Sequence, residues 1–256
     1  MRLAKANQCV QNAFERSNED NGIMQTDYEK PDWERIAHLF KLGIVAALLA
    51  LIGGDMLLGW GIADLSLTGM AQYFSRYSTV SDTRIFWAAL LGMFGISIET
   101  MCFFGVYRVI AAKSDKYAHA YRAGLIGMLI FGPFCHVMCC AAIYLHNVVE
   151  RMDPDMAINE ALQFAKLFLT PVSVVFFVFF LIMNTVQIMA FAKGKTPYPR
   201  WCLIFTMLTG IIDVVIMKML GNRAWAYALA TGWLSVGSLI TFSGLLLNMP
   251  KERRGA

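Results

Sequence analysis

The chain is 256 residues long, 57% of them hydrophobic and 16% charged, with a formal net charge of +4, whereas soluble globular chains carry about 25% charged residues. That composition, with a mean hydropathy of +0.53, excludes a soluble domain and assigns most of the chain to a lipid bilayer. No nucleic-acid motif accompanies the small positive charge, so an RNA or DNA partner is excluded as well.

Residues 1–35 form a polar segment, predicted to be cytoplasmic, with seven acidic and five basic side chains and no apolar stretch of the signal-peptide kind. Its composition specifies no partner. Six apolar runs follow, at about 39–60, 85–111, 121–149, 161–192, 201–220 and 225–248. Each approximates the roughly 20 residues that a hydrocarbon core about 30 Å thick demands of a helix. Lipid offers the backbone no hydrogen-bond partners, so each run is predicted to be helical. The fold class is therefore all-α, a polytopic integral membrane protein with a six-transmembrane-helix bundle over residues 36–250 and a basic tail at 251–256.

The first run contains "GGDMLLGW" and places Asp55 five residues from its outer end. The loop after it is the longest of the chain and holds Tyr73, Phe74 and Tyr77 beside Arg76. Amphipathic tyrosines suit the headgroup level, as an aromatic belt or a cap over the bundle mouth. Glu99 falls near the middle of the second run.

In the third run, "FCHVMCC" sets His136 near the middle, with His146 nearer the outer end. Cys139 and Cys140 share the His136 face at i+3 and i+4, a ligand set of suitable type for zinc or cuprous ion. Cysteines in apolar helices usually behave as small hydrophobes, so no metal site is assigned. The fourth run is preceded by Asp153 and Pro154, an N-cap followed by a proline at the first helical position. From residue 155 to 192 it would extend about 57 Å, nearly twice the hydrocarbon thickness, with a bend expected at Pro171. Asn184 and Gln187 lie deeper in the same run. Asp213, in the fifth run, has no basic neighbour on its own face, since Lys218 is about 140° away at roughly 100° per residue. Thr231, Ser235 and Ser238 form a small polar stripe on the sixth run.

Lysine and arginine mark the cytoplasmic side. Sixteen of the 22 gather on one side of the six-run topology: Arg2, Lys5, Arg16, Lys30, Arg35 and Lys41 in front, Arg108, Lys113, Lys116 and Arg122 in the second loop, Lys193, Lys195 and Arg200 in the fourth, and Lys251, Arg253 and Arg254 at the end. Both termini are then expected to be cytoplasmic, in the cell membrane.

Charged groups deep in a bilayer face a cavity or a partner. Asp55, Glu99, His136 and Asp213 fall at similar depths between the midplane and the external surface, which predicts a polar pocket open to the outside, with His146 near its mouth and Asn184 a deeper candidate lining residue. Such a pocket would bind a small amphipathic or cationic ligand, for transport or sensing. An alternative is an intramembrane enzyme acting on a lipid or sterol-like substrate, with Glu99 and His136 as acid and base. A third is an accessory membrane protein whose polar residues lock helices together. No nucleophile elbow, phosphate loop or dinucleotide fingerprint is present. His136 and His146 sit on one helix about 15 Å apart, a poor pair for haem, and no lysine lies at mid-membrane depth for a retinal Schiff base. No cofactor is expected, the partners expected are the bilayer and the ligand, and nothing in the chain specifies an oligomeric state.

Overall fold

The computed structural model describes residues 31–250, and every regular element among them is a helix. The polar segment ahead of Pro31 and the basic tail lie outside the described residues.

Helix α1 (Trp33–Leu48) begins where Asp32 accepts a hydrogen bond from the Arg35 backbone N–H at 3.0 Å. It runs into a wider π-helical stretch, Leu49–Met56, and a last turn at Leu57–Gly59. A short helix α2 (Gly69–Ser75) lies in the loop that follows. Ser81 caps α3 (Asp82–Cys102), which passes through a one-residue break at Phe103 into α4 (Phe104–Ala111). Ser114 caps α5 (Asp115–Glu150), a 36-residue helix that continues through Pro133.

The predicted cap at Asp153 and Pro154 opens α6 (Pro154–Phe164), with the Asp153 carboxylate accepting from the Asp155 N–H at 3.1 Å. A π-helical turn, Ala165–Leu169, leads into α7 (Thr170–Ala192). Next to Pro171, where a bend is expected, the structure has a turn of π-helix just ahead of the residue that lacks an N–H.

The fifth predicted run is not one α-helix. Arg200–Ile204 and Met207–Thr209 are 3₁₀ turns, with Thr206 extended between them, and only α8 (Gly210–Met219) is α-helical. Ten residues of helix rise about 15 Å, half the hydrocarbon thickness. The sixth run is also divided, into α9 (Ala224–Thr231) and α10 (Trp233–Leu247), which meet at Gly232 with a bend of 65°. Among the described residues, four helical spans are long and apolar enough to cross a membrane, and five if the bent pair counts as one.

The broken segment has a place in the packing. Gln187 of α7 donates to the Phe205 carbonyl at 2.8 Å, meeting an acceptor left over where the chain leaves the helix. Tyr198 donates its hydroxyl to the Leu245 carbonyl at 3.0 Å. Gly244 faces the Phe205 ring, Gly237 the Met207 carbonyl and Gly210 the Trp233 carbonyl, each so closely that a Cβ would overlap its neighbour. Residues 198–210 therefore descend antiparallel to α10 along most of its length.

At the centre, α5 packs against α3 on one side and α7 on the other, while α10 packs on α1. Gly124 of α5 approaches the Met183 backbone of α7 so tightly that a Cβ would lie 2.7 Å from its nitrogen, the close approach that small residues permit in lipid. Phe40, Phe103 and Phe242 interlock in the largest buried cluster, the last two with ring centroids 4.4 Å apart. Val174, Val178 and Leu181 of α7 are exposed. That apolar outer surface is the one "VSVVFFVFFLIM" predicts for contact with lipid.

Candidate functional site

The bend at Gly232 leaves space inside the bundle. A cavity of about 250 Å³ is bounded by the π-helical end of the first span, α3, α5, α7 and the start of α10. Its walls are mostly apolar, from Leu58, Ile96, Met128, Phe176 and Trp233, and into them project three ionisable groups from three separate spans: Asp55, Glu99 and His136. All three are buried.

Asp55 lies on the π-helical turn of the first span, where "GG" precedes it. The widened turn brings its carboxylate to the N-terminal end of α10, where Ser235 donates to Oδ2 at 2.9 Å. A Cβ on Gly232 would stand only 3.2 Å from that of Asp55, so the bend residue has to be small. A carboxylate at a helix N-terminus meets the positive end of the peptide dipoles, and α10 has no acid in its own first turn.

His136 reaches Asp55 from α5, with Nδ1 3.6 Å from Oδ1. Its Nε2 lies 3.0 Å from the Ala88 carbonyl of α3 and 3.8 Å from the Cys140 sulfur. A carbonyl only accepts, so Nε2 carries the hydrogen. That leaves Nδ1 facing a carboxylate, an arrangement satisfied when one further proton resides on either the imidazole or Asp55. Gly92 makes room for the ring, because a Cβ there would overlap Nε2.

Glu99 of α3 accepts a short hydrogen bond from Ser238 on Oε1, while Oε2 is buried with no hydrogen-bond partner among the described residues. The expected Glu99–His136 couple is thus replaced by two separate engagements, His136 with Asp55 and Glu99 with Ser238, because α10 interposes its serines. Cys139 lines the same cavity, but among the described residues no three of His, Cys, Asp and Glu converge closely enough to hold a metal ion. Phe177 lines the cavity and is also exposed on the outer surface of α7, so a single side chain separates the two at that point.

The other candidates stand elsewhere. Asp213 lies on α8 and does not line the cavity, the register of its helix being reset by the non-helical residues ahead of it. His146 stacks on Phe74 with centroids 4.6 Å apart and meets Asn147 Oδ1 at 3.2 Å, which makes it part of a clamp on the loop after the first span. Asn184 is fully buried and donates to the Phe180 carbonyl one turn back on its own helix. Ala88, Gly92 and Gly232 are site residues that hydropathy and charge do not reveal. For Gly92 and Gly232 the only signal is a glycine within an apolar helical run, and Ala88, which acts through its backbone carbonyl, carries none.

Residues 19–252 match the model of a family described as a family of unknown function, DUF6796. No curated protein and no solved structure matches the chain.

Proposed function

We propose a function for this chain, which belongs to the DUF6796 family, from geometry alone: it is a multi-pass protein of the cell membrane that binds a small amphipathic or cationic ligand in the intramembrane cavity, as a proton-responsive transporter or sensor. The observation that carries this reading is the convergence of Asp55, Glu99 and His136 on one largely apolar cavity, with the Glu99 Oε2 buried there and unpartnered. A buried acceptor without a donor is costly, and a ligand ammonium group or a proton on Glu99 supplies what is missing. Two carboxyl groups against one imidazole favour a cation over an anion. The apolar walls, and the single Phe177 side chain between them and the exposed face of α7, suit an amphipathic molecule that enters from the lipid.

The geometry favours binding over acid/base catalysis at His136. Nε2 is held at the Ala88 carbonyl and Nδ1 faces Asp55 at 3.6 Å, so the ring is oriented by protein groups on both sides. The proposed topology keeps six crossings and two cytoplasmic termini. The broken segment of residues 200–219 supplies the fifth crossing and the bent pair α9–α10 the sixth. Irregular backbone at membrane depth is tolerated where it lies against protein or lines a cavity, and broken helices around a midplane site recur in transporters.

Gentle detergent extraction followed by native mass spectrometry tests the reading. A retained cationic or zwitterionic amphiphile is expected on the unmodified protein and is expected to be lost from folded Glu99→Gln and Asp55→Asn variants. Retention unchanged in both folded variants, or no stabilisation of the protein by any of a panel of amphipathic amines, overturns it.

A further inference from the structure

A second cavity, of about 460 Å³, lies on the other side of the α9–α10 break and shares Thr231 and Trp233 with the first. Its charge is opposite. Arg76 and Lys218 line it together with Gln72, Tyr73 and Tyr227, and no carboxylate does so among the described residues. Neither cation has a carboxylate within ion-pair distance among the described residues.

Arg76 is held in place. Its guanidinium carbon lies 4.3 Å from the Tyr73 ring centroid, 4.6 Å from that of Tyr77 and 5.2 Å from that of Tyr227. One hydrogen bond, from Nη2 to the Tyr77 hydroxyl, engages it, while Nε is buried without a partner and Nη1 bonds to no described residue. Stacked rings fix the direction of a guanidinium and leave its charge uncancelled. The two flanking segments are also pinned together, since Asn222 both accepts from the Ala63 N–H at 3.1 Å and donates to its carbonyl at 2.8 Å. The cavity is of ligand-binding size, pockets of this kind running from about 300 to 1,000 Å³.

We propose that this outer cavity is an oxyanion site that takes a phosphate group, with Arg76 and Lys218 as its cationic contacts and the Tyr73 and Tyr227 hydroxyls and the Gln72 amide as further donors. Two cations with several neutral donors outnumber the two oxygens of a carboxylate and suit the larger acceptor set of a phosphate. The group belongs either to a free phosphate compound or to the headgroup of an anionic lipid, and the site is independent of the ligand assigned to the inner cavity.

The test uses the full chain in nanodiscs of phosphatidylcholine. Calorimetric titration with inorganic phosphate and with glycerol phosphate forms one arm, and native mass spectrometry of discs doped with phosphatidylglycerol forms the other. Binding in at least one arm is expected, weakened tenfold or more by Arg76→Gln and, in a variant that leaves the tyrosine cage intact, by Lys218→Gln. Binding in the first arm alone identifies a soluble phosphate compound, and binding in the second alone a lipid headgroup. Absence of binding in both arms, or binding unaffected by Lys218→Gln and by any folded Arg76→Gln protein, overturns the proposal.

Discussion

Asp55 Oδ1 and His136 Nδ1 face each other at 3.6 Å between the first membrane span and the central helix α5, both buried in the interior. A buried pair of this kind is far more costly to break than to replace. His136→Gln removes the imidazole and leaves Asp55 with Ser235 alone, an expected loss of about 3–5 kcal/mol. The double variant Asp55→Asn, His136→Gln is expected to lose less than the sum of the two single changes. Unfolding in bicelles over the full double-mutant cycle measures the coupling, and strictly additive losses would show that the two groups do not interact.

Gly92 is expected to tolerate no side chain. Alanine there drives its methyl into the imidazole, and overpacking of this sort costs about 1–3 kcal/mol. In a His136→Ala background the same Gly92→Ala change should cost less than it does in the wild type, because the obstructing ring is gone. Thermal melting of the wild type, both single variants and the double variant in detergent decides the matter.

Gln187 keeps the irregular residues ahead of α8 in register through its bond to the Phe205 carbonyl. Gln187→Leu preserves size and removes the donor, leaving a buried carbonyl unmet at a cost of about 1–3 kcal/mol. Faster hydrogen exchange confined to residues 202–209 is the expected signature, and an unchanged exchange pattern would argue against the role.

Asn147, near the end of α5, donates to the carbonyls of both Tyr77 and Val80, at 2.9 and 3.1 Å. It ties the loop after the first span to the bundle beside the second cavity, which Tyr77 lines. Asn147→Leu should expose residues 75–81 to limited proteolysis, while Asn222→Ala should loosen only the neighbourhood of Ala63. Equal protection of that loop in wild type and Asn147→Leu would contradict the assignment.

In the same loop the Ser66 hydroxyl, and after it the Ser66 N–H, donate to Asp64 Oδ1 at 2.7 and 2.9 Å and hold its carboxyl below the ordinary 3.8. A depressed carboxyl contributes order above its unfolded value and loses that contribution as pH falls through the folded one. The local turn at residues 64–66 is thus expected to persist at neutral pH and to loosen below 3.8. An NMR titration of the Asp64 carboxyl should find its midpoint under that value, moving upward in Ser66→Ala.

Much of the fold is legible in the chain. Apolar runs of membrane length, the caps at Asp153 and Pro154, and the lipid-facing run on α7 all follow from local composition, because a bilayer forces each stretch to satisfy its own backbone. The exceptions are informative. Residues 200–209 are as apolar as their neighbours, and hydropathy cannot distinguish a helix from a 3₁₀ segment whose carbonyl is met by a glutamine from another span. The bend at Gly232 is similar, since a glycine in an apolar run reads as close packing unless its neighbour across the interface is known.

Hydropathy and charge are enough to specify an all-helical membrane protein and the ionisable groups that had to find partners away from lipid, because the cost of burying charge applies to each residue wherever it sits. Which of those groups meet is a matter of packing between helices. The π-helical turn at Asp55, the space opposite Gly92 and the broken helix ending at Gly232 set rotation and register, joining Asp55 to His136, giving Glu99 to Ser238 and leaving Asp213 apart. Depth in a bilayer is a one-dimensional quantity that a sequence encodes, whereas the face a helix presents to its neighbours depends on packing among all of them at once.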